Sequence, residues 1–180
     1  MRVIAGQWRG RQLVAPKGEA TRPTADRTRE ALFSMLVSRV GSFDGLAVAD
    51  LFAGSGALGI EALSRGAAAC LFVENDKSAL DALRTNLTKL GAKGDVRAQS
   101  VMALAPAVAP LDVIMMDPPY GSGAGAVALD RLARLGWVGP ASWVTIETER
   151  REDVEVAGFA IDSVKVYGKA QVTILRLADS

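Results

Sequence analysis

The 180 residues carry a net charge of +1, are 49% hydrophobic and 23% charged, and include one cysteine and no histidine. That length suits one domain able to bury a core without staples. No apolar run nears the roughly 18 residues of a membrane span, and Met1-Arg2-Val3-Ile4-Ala5-Gly6 lacks the apolar core of a secretory signal. The lone Cys70 makes no internal disulfide and reads as a buried thiol in a reducing cytoplasm. Without histidine the commonest general base, the Ser–His pair and most transition-metal sites are excluded. Catalysis therefore falls to carboxylates, backbone groups or a cofactor.

The charge is uneven. Residues 1–40 hold eight basic side chains against three acidic ones, so they carry +5 and the remainder −4. Seven of the eight are arginine, the side chain suited to forked phosphate contacts and to stacking, so this end favours a polyanionic partner. Val3–Ala5 and Gln12–Ala15 read as a small hairpin through Gly6-Gln7-Trp8-Arg9-Gly10, with Trp8, Arg9 and Arg11 at its tip. Trp8 either stacks on bases or pins the ribbon to the body. After Pro16, Gly18 and Pro23, Thr24 is placed as the N-cap of a helix over 24–39, with Asp26 in its first turn and one face on the core.

From Leu46 strands alternate with helices. Strands are expected at Ala47–Phe52, Ala69–Val73, Val96–Gln99, Val113–Met116, Ser142–Glu147, Ile161–Val166 and Val172–Leu177, and helices near 57–65, 77–90, 101–107 and 125–135. Repeated strand–helix–strand units imply an α/β fold with a parallel sheet covered on both faces. Its ligands bind outside the carboxyl ends of the strands. The tight Tyr167-Gly168-Lys169 turn suits an antiparallel pairing of the last two strands.

Two stretches carry chemistry. Asp50-Leu51-Phe52-Ala53-Gly54-Ser55-Gly56-Ala57-Leu58-Gly59 closes the first strand of this series and opens a helix. Its glycines allow a tight turn and close approach of a ligand to the positive helix end. Glu74, about 20 residues on, is placed to take both hydroxyls of a ribose. A nucleoside-containing cofactor follows, and the glycines alone leave NAD and S-adenosylmethionine both open. The second stretch, Asp117-Pro118-Pro119-Tyr120, follows the apolar run Val113–Met116. Its prolines give no N–H to the ladder and stiffen the turn, which can hold a flat polar ring by one edge and one face. The choice between cofactors rests on Asp50, four residues before the first glycine and expected to face an ammonium that NAD lacks. It rests also on the proline pair, which has no role in hydride transfer, and on the final antiparallel hairpin, a departure that methyltransferase sheets show from the dinucleotide-binding pattern.

Asp50–Gly59, Glu74 and Asp117–Tyr120 resemble the motifs of class I S-adenosylmethionine-dependent methyltransferases that act on exocyclic or amide nitrogen. With Gly6-Gln7-Trp8-Arg9-Gly10-Arg11, Arg22-Pro23-Thr24-Ala25-Asp26-Arg27-Thr28-Arg29-Glu30-Ala31-Leu32-Phe33 and Leu63-Ser64-Arg65-Gly66-Ala67, the whole chain resembles the RsmD-type 16S ribosomal RNA guanine-N2 methyltransferases. The resemblance implies a Rossmann-like class I methyltransferase fold with a seven-stranded, mostly parallel sheet whose last strand is antiparallel. It also implies a basic RNA-binding extension over 1–40 and a methyltransferase domain over 41–180, together forming one structural unit.

It implies roles too. Asp50, Phe52, Gly54, Gly56, Gly59, Glu74 and Asp117 would bind S-adenosyl-L-methionine, with its adenine against Ser100 and Val101 and its open side near Thr24. Asp117, Pro118, Pro119 and Tyr120 would form the catalytic turn. Trp8, Arg9, Arg11, Arg22, Arg27 and Arg29 would hold RNA. The implied substrate is a guanine of 16S ribosomal RNA, position 966 in the family, either free or in an assembling small subunit. The expected protein is a cytoplasmic monomer needing no metal. The rival readings are an adenine-N6 nucleic-acid methyltransferase, a protein-glutamine methyltransferase, an NAD-dependent oxidoreductase and a non-catalytic RNA-binding or assembly factor.

Overall fold

A computed structural model describes residues 1–18 and 23–179, the side chains of Pro23 and Thr24 excepted. Apolar runs bounded by glycine and proline form the sheet: β1 (Ala47–Leu51), β2 (Ala69–Glu74), β3 (Asp95–Ala98), β4 (Leu111–Met116), β5 (Val138–Glu149), β6 (Phe159–Tyr167) and β7 (Ala170–Leu177). Their order is β3-β2-β1-β4-β5-β7-β6. β7 runs antiparallel to both its neighbours, and the other adjacent pairs are parallel. This is the expected sheet, with the order reversing between β1 and β4. Such a switch point opens a crevice at the carboxyl ends of those two strands.

Both faces are covered. Helices α1 (Pro23–Val40), α2 (Ala57–Ser64) and α3 (Lys77–Leu90) lie on one side, and α4 (Ala124–Arg134) on the other. Alternate residues of β1 divide between two cores: Val48 joins Phe33, Phe72, Leu83 and Val113, and Leu51 joins Val73, Ile114, Leu129 and Ile146. Phe33, Leu36, Phe72 and Leu129 have no accessible surface, a burial of about 1.5–3 kcal/mol each. Val3 and Leu13 of the amino-terminal ribbon lie in the first core as well. No helix among the described residues is long and apolar enough to cross a membrane.

Four expectations change. The helix α1 starts at Pro23, so Thr24 stands in its first turn and is not its cap; proline is pre-shaped for a first helical position. The expected helix 101–107 is a single 3-10 turn over Val101–Ala103, because Pro106 disfavours helical backbone at the residue before it. β5 begins at Val138 and not at Ser142, through an irregular pairing with Leu111. Pro140 is tolerated beside that irregularity. The amino-terminal hairpin is short, pairing Arg2 with Gln12 through backbone bonds from Val3 to Arg11, Gly10 to Val3 and Leu13 to Met1, and the amides of Ile4 and Ala5 turn away to Glu61 at 2.8 and 3.0 Å.

Candidate active site

The glycine turn is built on a strained step. Phe52 follows β1 with φ 58°, a left-handed conformation uncommon outside glycine. The chain then turns through Gly54 and Gly56 into α2. The glycines serve different ends. A Cβ on Gly54 would meet open space, whereas one on Gly59 would lie 2.3 Å from the Phe72 ring and 2.6 Å from Cys70 Sγ. Gly54 therefore lines the crevice, and Gly59, expected beside a cofactor, instead lets α2 pack tightly on β2.

Asp50 also departs from expectation. It is 1% exposed, below the turn, where Oδ2 accepts the Gly59 amide at 2.9 Å and Oδ1 has no partner. Burial, partly offset by that hydrogen bond, pushes its pKa up to about 8. It supports the turn from within and does not face the open crevice, because its position in β1 points it into the helix-covered core.

Glu74 ends β2 and reaches across to the turn. Its Oε1 accepts the Gly54 amide at 2.8 Å, and its Oε2 accepts those of Asn75 and Asp76 at 3.0 and 2.9 Å. A carboxylate has about four acceptor positions, and with three in use one is left for a ribose hydroxyl. Of the residues expected at the adenine, Ser100 uses its hydroxyl to accept from Met102 N, and Val101 is buried at 4% in the second core. Val101 thus contributes packing, since its 3-10 turn points it inward.

The Asp117 amide donates to Leu51 O at 3.4 Å, which sets the proline turn beside the end of β1. Pro118 is buried against α4, where Gly125 admits it, while Asp117, Pro119 and Tyr120 are exposed. The Pro119 carbonyl accepts from Ser122 N and Oγ, so the turn closes on itself. Tyr120 Oη donates to Glu147 Oε2 at 3.3 Å, and the strand register puts Glu147 beside Asp117. Glu147 was missed from sequence. Its signal was there: the strand expected over 142–147 ends on an acid, as do the stretches that close on Glu74 and Asp117.

The amino-terminal arginines divide. Arg29 is 4% exposed, pairs with Asp26 at 3.0 Å, donates to Arg2 O and approaches Glu61 at 3.6 Å. It is part of a buried network and is not available to RNA. The hairpin tip lies at the far end of the helices: the amides of Gln7 and Trp8 bond Ser64, the last residue of α2, and Arg11 bonds Lys89 O near the end of α3. Both helices start at the carboxyl ends of the strands, so the tip sits at the opposite end of the sheet from Asp117. Trp8 is half-buried on the first core and pins the ribbon. Arg9 and Arg27 are exposed; Arg22 and the side chain of Thr24 lie outside the described residues.

The ribbon's open end touches the site. Asn86 of α3, fully buried, exchanges hydrogen bonds with Val14 at 2.8 and 3.0 Å and donates to Ser55 O in the glycine turn at 2.9 Å. On the other flank a cavity of about 480 Å³ is lined by Glu149, Arg150, Arg151, Gly168 and Lys169. The hairpin of β6 and β7 brings Lys169 there, since the Arg150 amide bonds its carbonyl.

The family described as conserved hypothetical protein 95 matches residues 1–176. The chain is 35% identical over 173 residues to ribosomal RNA small subunit methyltransferase D of Escherichia coli K12, covering 94% of this chain and 86% of that protein. It is 38% identical over 156 residues to the protein of that name in Haemophilus influenzae, covering 83% and 79%. Its fold is similar to the solved structure of the presumed methyltransferase yhhF of Escherichia coli, with TM-score 0.84, 34% identity and coverage of 100% and 99%. The magnesium protoporphyrin IX methyltransferase of Synechocystis, solved with bound S-adenosylmethionine, shares the fold alone at 15% identity and TM-score 0.66, covering 89% and 87%.

Proposed function

The chain belongs to the family described as conserved hypothetical protein 95, and from that membership we propose that it methylates 16S ribosomal RNA, passing a methyl group from S-adenosyl-L-methionine to the exocyclic N2 of a guanine. The observation that carries this reading is the Asp117–Leu51 contact. It sets a turn able to grip an amine beside a glycine turn able to hold the methyl donor. The curated names of the Escherichia coli and Haemophilus influenzae relatives support ribosomal RNA as substrate. The family target, guanine 966, is the nucleotide proposed.

The residues fit the cofactor. Gly54 opens onto the crevice, and Glu74 stands at its edge with acceptor capacity to spare. When bound, S-adenosylmethionine supplies a methyl group already activated on a sulfonium. Glu74 holds the ribose, and the turn from Phe52 to Gly56 holds the amino-acid end. Asp50 keeps the turn in place through Gly59, and Ser100 stands by the adenine.

The guanine N2 lone pair is delocalised into the ring, so the amine needs help to attack. The Asp117 carboxylate and the Pro118 carbonyl accept its two hydrogens, aim the nitrogen and favour its pyramidal form. Tyr120, 49% exposed, stacks on the base, a contact worth roughly 1–3 kcal/mol. RNA sequence is read best where bases are unpaired, so the target is a nucleotide turned out into the site. Arg27 near the start of α1, with Arg150, Arg151 and Lys169 on the other flank, meets the backbone phosphates nearby. Arg9 and Arg11 take phosphates from RNA that extends over α2 and α3. Such contacts weaken steeply with salt. We place the enzyme in the cytoplasm as a monomer.

A labelled-methyl assay on small subunits, assembling particles, naked 16S RNA and DNA tests this reading. The expected product is N2-methylguanosine in the ribosomal RNA. Asp117→Ala should lower transfer by about 10²–10⁴-fold with cofactor binding retained. N6-methyladenine as the product, or near-wild-type turnover of that variant, would overturn it.

A further inference from the structure

We infer that Glu147 is a positioning residue for Asp117, the two carboxyls forming one pair that takes up the proton released by the substrate amine. This rests on the methyl-transfer reading above. An isolated exposed aspartate titrates near 3.9, too acidic to be an effective proton acceptor at neutral pH, because the best acceptor has its pKa near the working pH. A second carboxyl alongside changes this. Two like charges at close range resist joint ionisation, so the pair titrates in two steps with the upper one raised.

The fold places the second carboxyl there. β4 and β5 run parallel with Met116 opposite Ile146, so the next residues, Asp117 and Glu147, fall side by side at the carboxyl edge of the sheet. The two carboxyls lie close enough for Asp117 to pull Glu147 down against the rise that burial causes, so they titrate together. Tyr120 Oη fixes the far side of Glu147 at 3.3 Å. Glu147 is half-buried, and that burial pushes its carboxyl above the usual range.

The ionisable surroundings are few. The turn after β4 offers Asp117 and Tyr120, and β5 offers Glu149 one pleat further on. β7 opposes Glu147 with the uncharged Val172, next to Gln171 and Thr173. Glu152 is occupied by the amides of Gly121 and Glu149. On the described first turns of α1 the charged groups are Arg27, Glu30 and Asp26, the last paired with Arg29.

The step balances as follows. The amine nitrogen bonds the methyl carbon while the carbon–sulfur bond breaks, its electron pair staying on sulfur. The nitrogen, now cationic, loses one proton to a carboxylate oxygen of Asp117. The pair then holds that proton between Asp117 and Glu147 and returns it to water after the product leaves.

The test is a pH titration of the ligand-free protein by carbon-13 NMR of its carboxyl groups, for the wild type, Glu147→Gln and Asp117→Asn, together with pH–rate profiles of single turnovers on RNA. In the wild type the two carboxyls should titrate as a coupled pair. In Glu147→Gln the Asp117 midpoint should move to lower pH, because the neighbouring negative charge is gone. The acid limb of the rate profile reports that midpoint and should move the same way, with the plateau rate down on the order of tenfold and cofactor affinity unchanged. Asp117→Asn should leave Glu147 titrating as a single, uncoupled carboxyl. Independent titration of the two carboxyls, or a rate limb that stays in place when the midpoint moves, overturns the inference. The NMR arm needs no methyl transfer, so loss of the coupled pair is distinguishable from failure of the proposed activity.

Discussion

Asn86 on α3, fully buried, and the partly exposed Val14 in the ribbon exchange two hydrogen bonds, at 2.8 and 3.0 Å. The same amide nitrogen donates to Ser55 O in the glycine turn. One side chain therefore ties the amino-terminal ribbon to the loop that would hold the cofactor. Asn86→Ala strands the buried Ser55 O, and an unsatisfied buried polar group costs about 1–3 kcal/mol. Urea unfolding should show a loss in that range or above it, and calorimetry should show weaker binding of S-adenosylmethionine. Unchanged cofactor affinity would mean that the ribbon does not support the loop.

Glu61 is the second anchor of the ribbon. Fully buried, it accepts the Ile4 and Ala5 amides, pairs with Arg65 at 2.8 Å and lies 3.6 Å from Arg29. Breaking a buried pair by removing one charge costs about 3–5 kcal/mol, since the partner is left uncompensated. Glu61→Gln should lose stability of that order in thermal unfolding and expose the first 18 residues to limited proteolysis. Proteolysis as slow as in the wild type would assign the ribbon's attachment to other contacts.

The two glycines should fail differently. Gly59→Ala forces a methyl to 2.3 Å from Phe72, an overpacking that costs about 1–3 kcal/mol and appears first as lower stability. Gly54→Ala has room for its methyl but carries the left-handed φ of 58°, a strain of about 1 kcal/mol, and fills the crevice, so the expected loss is chiefly in cofactor affinity. Denaturation and calorimetry on both variants separate the cases; a stability loss at position 54 larger than at 59 would reverse the assignment.

Asp50 gives stability a pH dependence. Its carboxyl is raised from 3.8 to about 8 by burial, so between those values the folded state binds more protons than the unfolded one. Its contribution is therefore full below pH 3.8 and is lost as pH rises to about 8. Asp50→Asn keeps an acceptor for Gly59 and removes the titration. Relative to the wild type, the variant should become progressively more stable from about pH 4 to pH 8, as read from denaturant midpoints. A constant difference across that window would show that Asp50 does not titrate there.

The local motifs were legible because their physics is local. Two prolines must stop a ladder wherever they stand, and a glycine cluster between a strand and a helix must turn tightly. Strand–helix alternation implied the layered sheet, and Gly168 implied the reversed β7. The helix expected at 101–107 is cut to one turn by a local feature, Pro106.

What the sequence by itself determined was the class of the fold, the glycine turn and the proline turn, and the basic character of the first 40 residues. Only the tertiary structure decided where those basic residues point. Arg29 went inward because Glu61, 32 positions later, needed a partner, and the hairpin tip went to the far end because Ser64 and Lys89 receive it there. The Glu147–Asp117 pair is likewise a product of strand order and register. Both are set by packing between residues distant in the chain, which no short stretch encodes.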